Sequence, residues 1–349
     1  MPGLSGTEIK CAVKKASVWG TAVVCGANNG ILLLPTNIKR DAEINTDDSM
    51  GSLFSKEGLP GPVKVEGDKP GYLRYDSLDL LFAMYMGIAG APASQGSGAY
   101  AYTYKIKTLL DGLFYTYAKN MKNYIEEYPS VKIVGINIKG EVGAKPVEVV
   151  FQTICNNKVI NSAINTTSTF ANVTYFEEQN RVRFSEGVWR MNTQSGAALG
   201  GGDTIYPAAF EFDTKRKDKG EYSTQYKTAT NQELIDEPAG DGSMDTTFKL
   251  TFPRHTSSAY IADLIADTKK KLDMTFTGAL IGGSFYRQFK LQFPNLQLKN
   301  VDPVDANGNI KEPLEFIVHG ALTAPSGMAG LTDSFWLSGI NRLSTDPLA

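Results

Sequence analysis

The chain is poor in the residues that do chemistry. Its 349 residues include two histidines, His255 and His319, and three cysteines, Cys11, Cys25 and Cys155. An odd number of thiols with no C-x-x-C pair argues against a disulfide framework and fits a reducing compartment. No Cys/His spacing matches a zinc site. The histidines fall on separate predicted elements and form no acid–base dyad. Paired carboxylates and a nucleophile elbow are lacking. Gly200-Gly201-Gly202-Asp203 lacks the Lys-Ser/Thr of a phosphate loop and reads as a hinge. In D-P-V-D-A-N-G-N (residues 302–309), setting Gly308 at the sixth position of a calcium loop puts Pro303 first and Leu314 twelfth. A turn on Asn307-Gly308 is the better reading. The expectation is no catalytic residue, no metal and no cofactor.

Other absences narrow the class. The most apolar run, residues 80–91, is too short for a hydrocarbon layer of about 30 Å. The opening M-P-G-L-S-G-T-E-I-K has no basic stretch followed by an apolar one, so the acceptor-like triplets at Asn165 and Asn172 carry no weight. A soluble chain in a cytosol-like environment, with no membrane partner, is expected. The net charge of −2 suggests neither a nucleic-acid binder nor a membrane-surface binder. The basic run 215–219 contains an Asp and no aromatic, so it reads as a solvated arm.

What the chain does have is β pattern, 34 glycines, 10% aromatic residues and a repeat. Y-P-S-V-K-I from Tyr128 leads through a turn to P-V-E-V-V-F at 146–151. F-P-N-L-Q-L from Phe293 leads through a turn to P-L-E-F-I-V at 313–318. Each copy reads as two alternating strands opened by prolines. Upstream of each lies a helix pattern. Residues 76–87 have Asp76 as cap and Leu78, Leu81, Phe82 and Tyr85 on one stripe. Residues 257–272 have Ser257 as cap and Lys269, Lys270 and Lys271 at the end. Further upstream, L-L-P-T-N-I (33–38) faces I-Y-P-A-A-F (205–210). Matched prolines are 172, 165 and 167 residues apart, which predicts a tandem duplication. The boundaries are 1–162 for the first half, 163–202 for a connecting segment and 203–349 for the second half and tail.

Residues 40–62 and 213–242 are polar and too long for ordinary turns, so they read as arms. Residues 63–66 and 248–252 read as strands, as does 181–184. Tyr100, Tyr102 and Tyr104 alternate, and 113–118 looks like their partner across Asp111-Gly112. Phe335-Trp336 looks like an isolated apolar knot in a Gly/Ser/Pro-rich tail.

Three stretches carry a resemblance. K-K-A-S-V-W-G-T (14–21), L-R-Y-D-S-L-D-L-L-F-A-M-Y-M-G-I-A-G (73–90) and A-Y-A-Y-T-Y-K-I (99–106), with the strands of 131–151, resemble the tail tube (major tail) proteins of long-tailed bacteriophages. The likeness is clearest over residues 10–155 and keeps the same order to about 322. A histidine common in that family near Tyr104 is absent here. The resemblance implies a mainly β fold, a tail-tube-like β-sandwich with a flanking helix. It further implies homo-oligomeric rings, joined edge to edge and stacked into a hollow tube. With two such units per chain, three chains would fill a ring of roughly sixfold order. The implied partners are other copies of the chain and tail proteins such as tape measure, terminator and baseplate. DNA would pass through the lumen without specific binding. The implied location is the virion tail, with assembly in the host cytoplasm. A terminator, a baseplate-hub ring or a secretion tube is the related alternative, and a carbohydrate-binding sandwich the distant one.

Overall fold

The computed structural model describes residues 9–46, 54, 58–175, 180–228, 231–306 and 308–349. The protein is mainly β, with three short α-helices among the described residues. In chain order the first part holds β1 (Lys10–Ala16), β2 (Gly30–Ile31), β3 (Lys39–Thr46), β4 (Gly58–Tyr72), α1 (Asp79–Met86), β5 (Gly87–Ile88), β6 (Ala93–Gly96), β7 (Ala99–Ile106), β8 (Phe114–Asn120), β9 (Ile125–Glu141), β10 (Glu148–Cys155), β11 (Val159–Ile160) and α2 (Thr167–Phe170). There follow β12 (Gly187–Thr193), β13 (Thr204–Ile205), β14 (Ala209–Lys215), β15 (Asp218–Lys219), β16 (Tyr222–Thr228), β17 (Asn231–Leu234), β18 (Ala239–Gly240) and β19 (Asp245–Phe252). The chain closes with α3 (Ala259–Ile265), β20 (Lys270–Gly282), β21 (Phe285–Val301), β22 (Val304–Ala306), β23 (Asn309–His319) and β24 (Trp336–Asn341).

Hydrogen bonding arranges eight of these strands in the order β3-β4-β10-β9-β14-β19-β23-β21, each antiparallel to its neighbour. One face of this sheet is apolar, from the alternation of Val147, just before β10, with Val149 and Phe151 on β10 to Phe210, Phe212 on β14 and Leu314, Phe316, Val318 on β23. A second layer covers it. Trp189 of β12 and Phe276 of β20 pack on Phe210 at ring distances of 4.9 and 6.1 Å. Phe82 of α1 sits between Phe151 and Phe289 at 5.3 and 5.7 Å. β9 and β21 belong to both layers. Their first halves pair with β8 and β20, and their second halves run in the eight-stranded sheet.

The pairing registers repeat. Cys11↔Ile31 and Ala12↔Gly30 are matched by Trp189↔Ile205 and Arg190↔Thr204. Val13↔Tyr117 is matched by Met191↔Leu272. Tyr117↔Tyr128 and Tyr115↔Val131 leave Pro129 and Ser130 as a bulge opposite Thr116; Leu272↔Phe293 and Lys270↔Leu296 leave Pro294 and Asn295 opposite Lys271. A second bulge puts Val134 between Ile133↔Thr153 and Gly135↔Gln152, and Lys299 between Leu298↔Phe316 and Asn300↔Glu315. The eight-stranded sheet is thus two four-stranded units, β3-β4-β10-β9 and β14-β19-β23-β21, laid side by side. β5–β7 have no counterpart and account for the longer connection after α1.

Several expectations need correction. Pro129 and Pro294 do not open strands; they sit inside 17-residue strands at the bulges, where a missing N–H costs the ladder little. Pro146 and Pro313 are not equivalent, because the register sets Phe151 against Leu314, four residues away. An even slip keeps every side chain on its face, so the hydrophobic pattern could not reveal it. α1 starts at Asp79 after an N-cap at Leu78, and Asp76 caps nothing; it binds Arg287 at 2.8 Å instead. α3 ends at Ile265, and Lys270 and Lys271 enter β20, whose Leu272, Met274 and Phe276 alternate into the core.

β7 and β8 are not a hairpin. β7 pairs with β24 and β8 with β1 and β9, since those edges bury both strands. Residues 181–184 make two isolated bridges and a 3₁₀ turn rather than a strand. Phe335 packs on Phe212 and Phe293, and Trp336 begins β24, so the tail is no isolated knot. The Gly200–Gly202 stretch is a turn held by Asp203, which accepts from Gly200 N and Asn192 Nδ2 at 2.7 Å each. The arm at 40–62 holds the antiparallel pair β3–β4, and its residues 47–53 and 55–57 lie outside the described residues. The arm at 213–242 is the end of β14 plus the small strands β15–β18. β12, in the segment read as a connection, takes the place of β1 in the second half. One buried cluster runs through both halves.

Candidate assembly edges

The seam between the two units is β9 against β14, from Glu141↔Ala209 to Gly135↔Lys215. It is fully built. Ile138 and Phe212 meet in the core, and Gly140 lies so close to Phe210 that a Cβ would stand 2.8 Å from the ring. Asn137 Nδ2 donates to Glu211 and Asp213 of β14 at 3.1 and 3.2 Å. α1 closes over the seam. Tyr85 Oη lies 2.8 Å from Thr214 Oγ1, and the Arg216 guanidinium stacks 5.4 Å over the Tyr85 ring while donating to the carbonyl of Lys107. Burial pushes the Tyr85 hydroxyl well above its ordinary range.

At the two ends of the sheet the same elements stand open. β3 occupies in the first unit the place of β14 in the second. Among the described residues it pairs only with β4, and all eight of its residues are exposed. The second half of β21, continued in register by β22, occupies the place of the seam half of β9. Beyond Leu296 its outer edge meets no described strand. α3, the counterpart of α1, has no buried residue, whereas seven of the eight in α1 are buried. Aligned on their N-caps, Tyr85 corresponds to Ile265, which is 82% exposed.

No protein-family model and no curated protein matches this chain.

The solvent face of the sheet bears a row of alternating charge, Glu148–Lys139–Glu211–Lys249–Glu315, one residue on each of five adjacent strands across the seam. Lys139 Nζ lies 3.4 Å from Glu148, Lys249 3.4 Å from Glu211, and Lys299 of the bulge 3.0 Å from Glu315. Such exposed cross-strand pairs add little stability each. Their effect is to occupy the lysines. Glu66, Asp68 and Asp213 lie on the same face.

Other polar side chains are held by contacts within the chain. His255 faces Glu312 at 3.1 Å and His319 faces Gln297 at 3.0 Å, on opposite ends of β23. Asn165, first residue of an acceptor-like triplet, is fully buried and bonds Cys25 N, Val23 O and Glu127. Arg216, read from the sequence as part of a solvated run, is buried in the seam. Asp79 accepts from Tyr104 Oη and Asn341 Nδ2 at 2.8 and 2.7 Å, and burial raises its carboxyl to about 6. Lys69 is buried over the Tyr115 and Tyr117 rings with Thr153 Oγ1 at 3.2 Å, and burial lowers it to about 8. All three thiols are buried and free. Among the described residues no group of His, Cys, Asp and Glu could hold a metal, and no helix is long and apolar enough to cross a membrane. A depression of about 810 Å³ between β1 and the 342–349 tail is lined by no histidine or cysteine.

Proposed function

We propose that this chain is a structural virion protein that polymerises into stacked rings, forming the hollow tail tube of a long-tailed bacteriophage. The observation that carries the reading is the pair of open edges. A sheet of two equivalent units ends in one edge like the buried β14 and one like the buried β9. Unpaired edges are a liability that closure removes. The resemblance of residues 10–155 to tail tube proteins supplies the particular tube. The repeated registers support a gene duplication, with each half one tube unit and three chains to a ring. In this reading the protein resides in the virion tail after assembly in the host cytoplasm, and it is no enzyme. Its partners are its own copies and the tape measure, terminator and baseplate proteins, with DNA passing through the lumen unbound.

Negative-stain electron microscopy of the purified protein tests this. Tubes of stacked rings, each ring with three chains of two similar lobes, are expected. Rings that never stack would favour a terminator or hub. A strictly monomeric protein at high concentration, unresponsive to other tail components, would overturn the reading.

A further inference from the structure

The internal seam specifies the contact between copies, residue by residue. Register equivalence maps Ala209–Lys215 of β14 onto residues 35–41, since Thr214↔Thr246 and Arg40↔Val65 stand at matching places. It maps residues 135–141 of β9 onto 300–306, a stretch that keeps one register against β23 from Asn300↔Glu315 to Ala306↔Asn309. We infer that residues 35–41 of one copy pair antiparallel with residues 300–306 of the next, with Lys39 opposite Asp302, Arg40 opposite Val301 and Asp41 opposite Asn300. This rests on the reading above as a ring-forming protein and names its partner surface, a second copy of the same chain.

Independent features agree with the register. Lys39 and Asp302 bring opposite charges face to face where the seam has Asp213 and Asn137. Arg40 takes the place of Thr214, which covers Tyr85 inside the chain; in the next copy it would cover the exposed Ile265 on α3. Val304 and Ile265 are exposed at one edge and Ile44 at the other, apolar surface that pairing would remove from water. Pro303 brings no N–H, so it serves this ladder only as an acceptor, as an edge position allows.

The sheet geometry permits closure. A row of paired residues leaves Asn37, whose N–H bonds Asp68 O, then passes Gln152 and Gly135 and reaches β14 at Lys215. The equivalent of Asn37 on β14 is Glu211, so rows climb four residues in every four strands. A barrel whose shear equals its strand count has strands tilted about 36°. Three copies supply 24 strands; at about 4.8 Å spacing and that tilt the backbone barrel is about 45 Å across, wide enough for a DNA duplex.

Paired cysteines at 39 and 302 test the register. Both sites are exposed and the native thiols are buried, so background is low. Oxidation or a short bis-maleimide should link Lys39→Cys/Asp302→Cys chains between copies into species ending at trimer, at least tenfold more efficiently than Lys39→Cys/Asp305→Cys. Lys39→Asp alone should reduce assembly at least tenfold, and Lys39→Asp/Asp302→Lys should restore it, with circular dichroism unchanged throughout. Assembly with equal or better cross-linking at 39/305, or no rescue by the swap, would overturn the register while leaving the tube reading intact. Failure of the wild type to self-associate would remove both.

Discussion

Two buried side chains stand out once the halves are superposed through their registers. Lys69 occupies the position that Leu250 fills in the second half, facing Phe151 as Leu250 faces Leu314. A lysine lowered to about 8 by burial contributes stability above its unfolded value of 10.5 and loses it as pH falls through 8. At neutral pH the cost is fully present. Lys69→Leu is therefore expected to raise stability at pH 7 by roughly 2 kcal/mol and to flatten the rise between pH 8 and 10.5; a lower melting temperature would contradict this. Asp79 has the opposite sign. Its folded value of about 6 lies above the ordinary 3.8, so its contribution is complete below about pH 4 and is lost as pH rises through 6. Asp79→Asn keeps an oxygen for Tyr104 and Asn341. It should gain on the order of 2 kcal/mol at pH 7 and remove the pH 4–6 slope in urea titrations. An unchanged slope would show that Asp79 is not the titrating group.

At the level of elements, β3 carries part of one assembly edge, and none of the described residues between 42 and 61 is buried. Replacing residues 42–61 by a tight turn keeps the inferred contact strand 35–41 and removes only the long arm that would reach a neighbouring ring, so it should leave a folded protein, by circular dichroism and gel filtration, that closes rings but does not stack them into tubes. Normal tubes from that variant would make the arm dispensable. Alternation made most strands readable, and element order made the repeat readable, because both depend on local pattern. Exact equivalence was not readable. Proline matches placed β10 against β23 four residues out, and only long-range pairing corrects a slip that leaves every face unchanged. The α3 boundary failed for a related reason. Lys269–Lys271 suit a helix end, but Leu272, Met274 and Phe276 alternate, and burial between β12 and β21 decides in favour of a strand. The candidate edges were invisible in sequence, since what marks β3 as open is the company that its counterpart β14 keeps.

At the level of the whole molecule, the face bearing Glu148, Lys139, Glu211, Lys249 and Glu315 becomes the lumen wall in the proposed tube. Lysines engaged by carboxylates have no need of phosphate, so passing DNA would release few counterions and meet little drag. Glu211→Lys together with Glu315→Lys should leave tubes that assemble but retain DNA at low salt and release it at high salt. The measurement is co-sedimentation of tubes with duplex DNA across a salt series. DNA retention equal to wild type at every salt would contradict the assignment of this face to the lumen. The strands β5, β6 and β7 exist in one half alone, and through β7 they extend the outer layer beside β24. A ring of three such chains would then carry this extra material on every second sector. Its bore would be nearly sixfold and its outside strictly threefold, so anything gripping the tube from outside would find three handholds per turn where the cargo inside feels six.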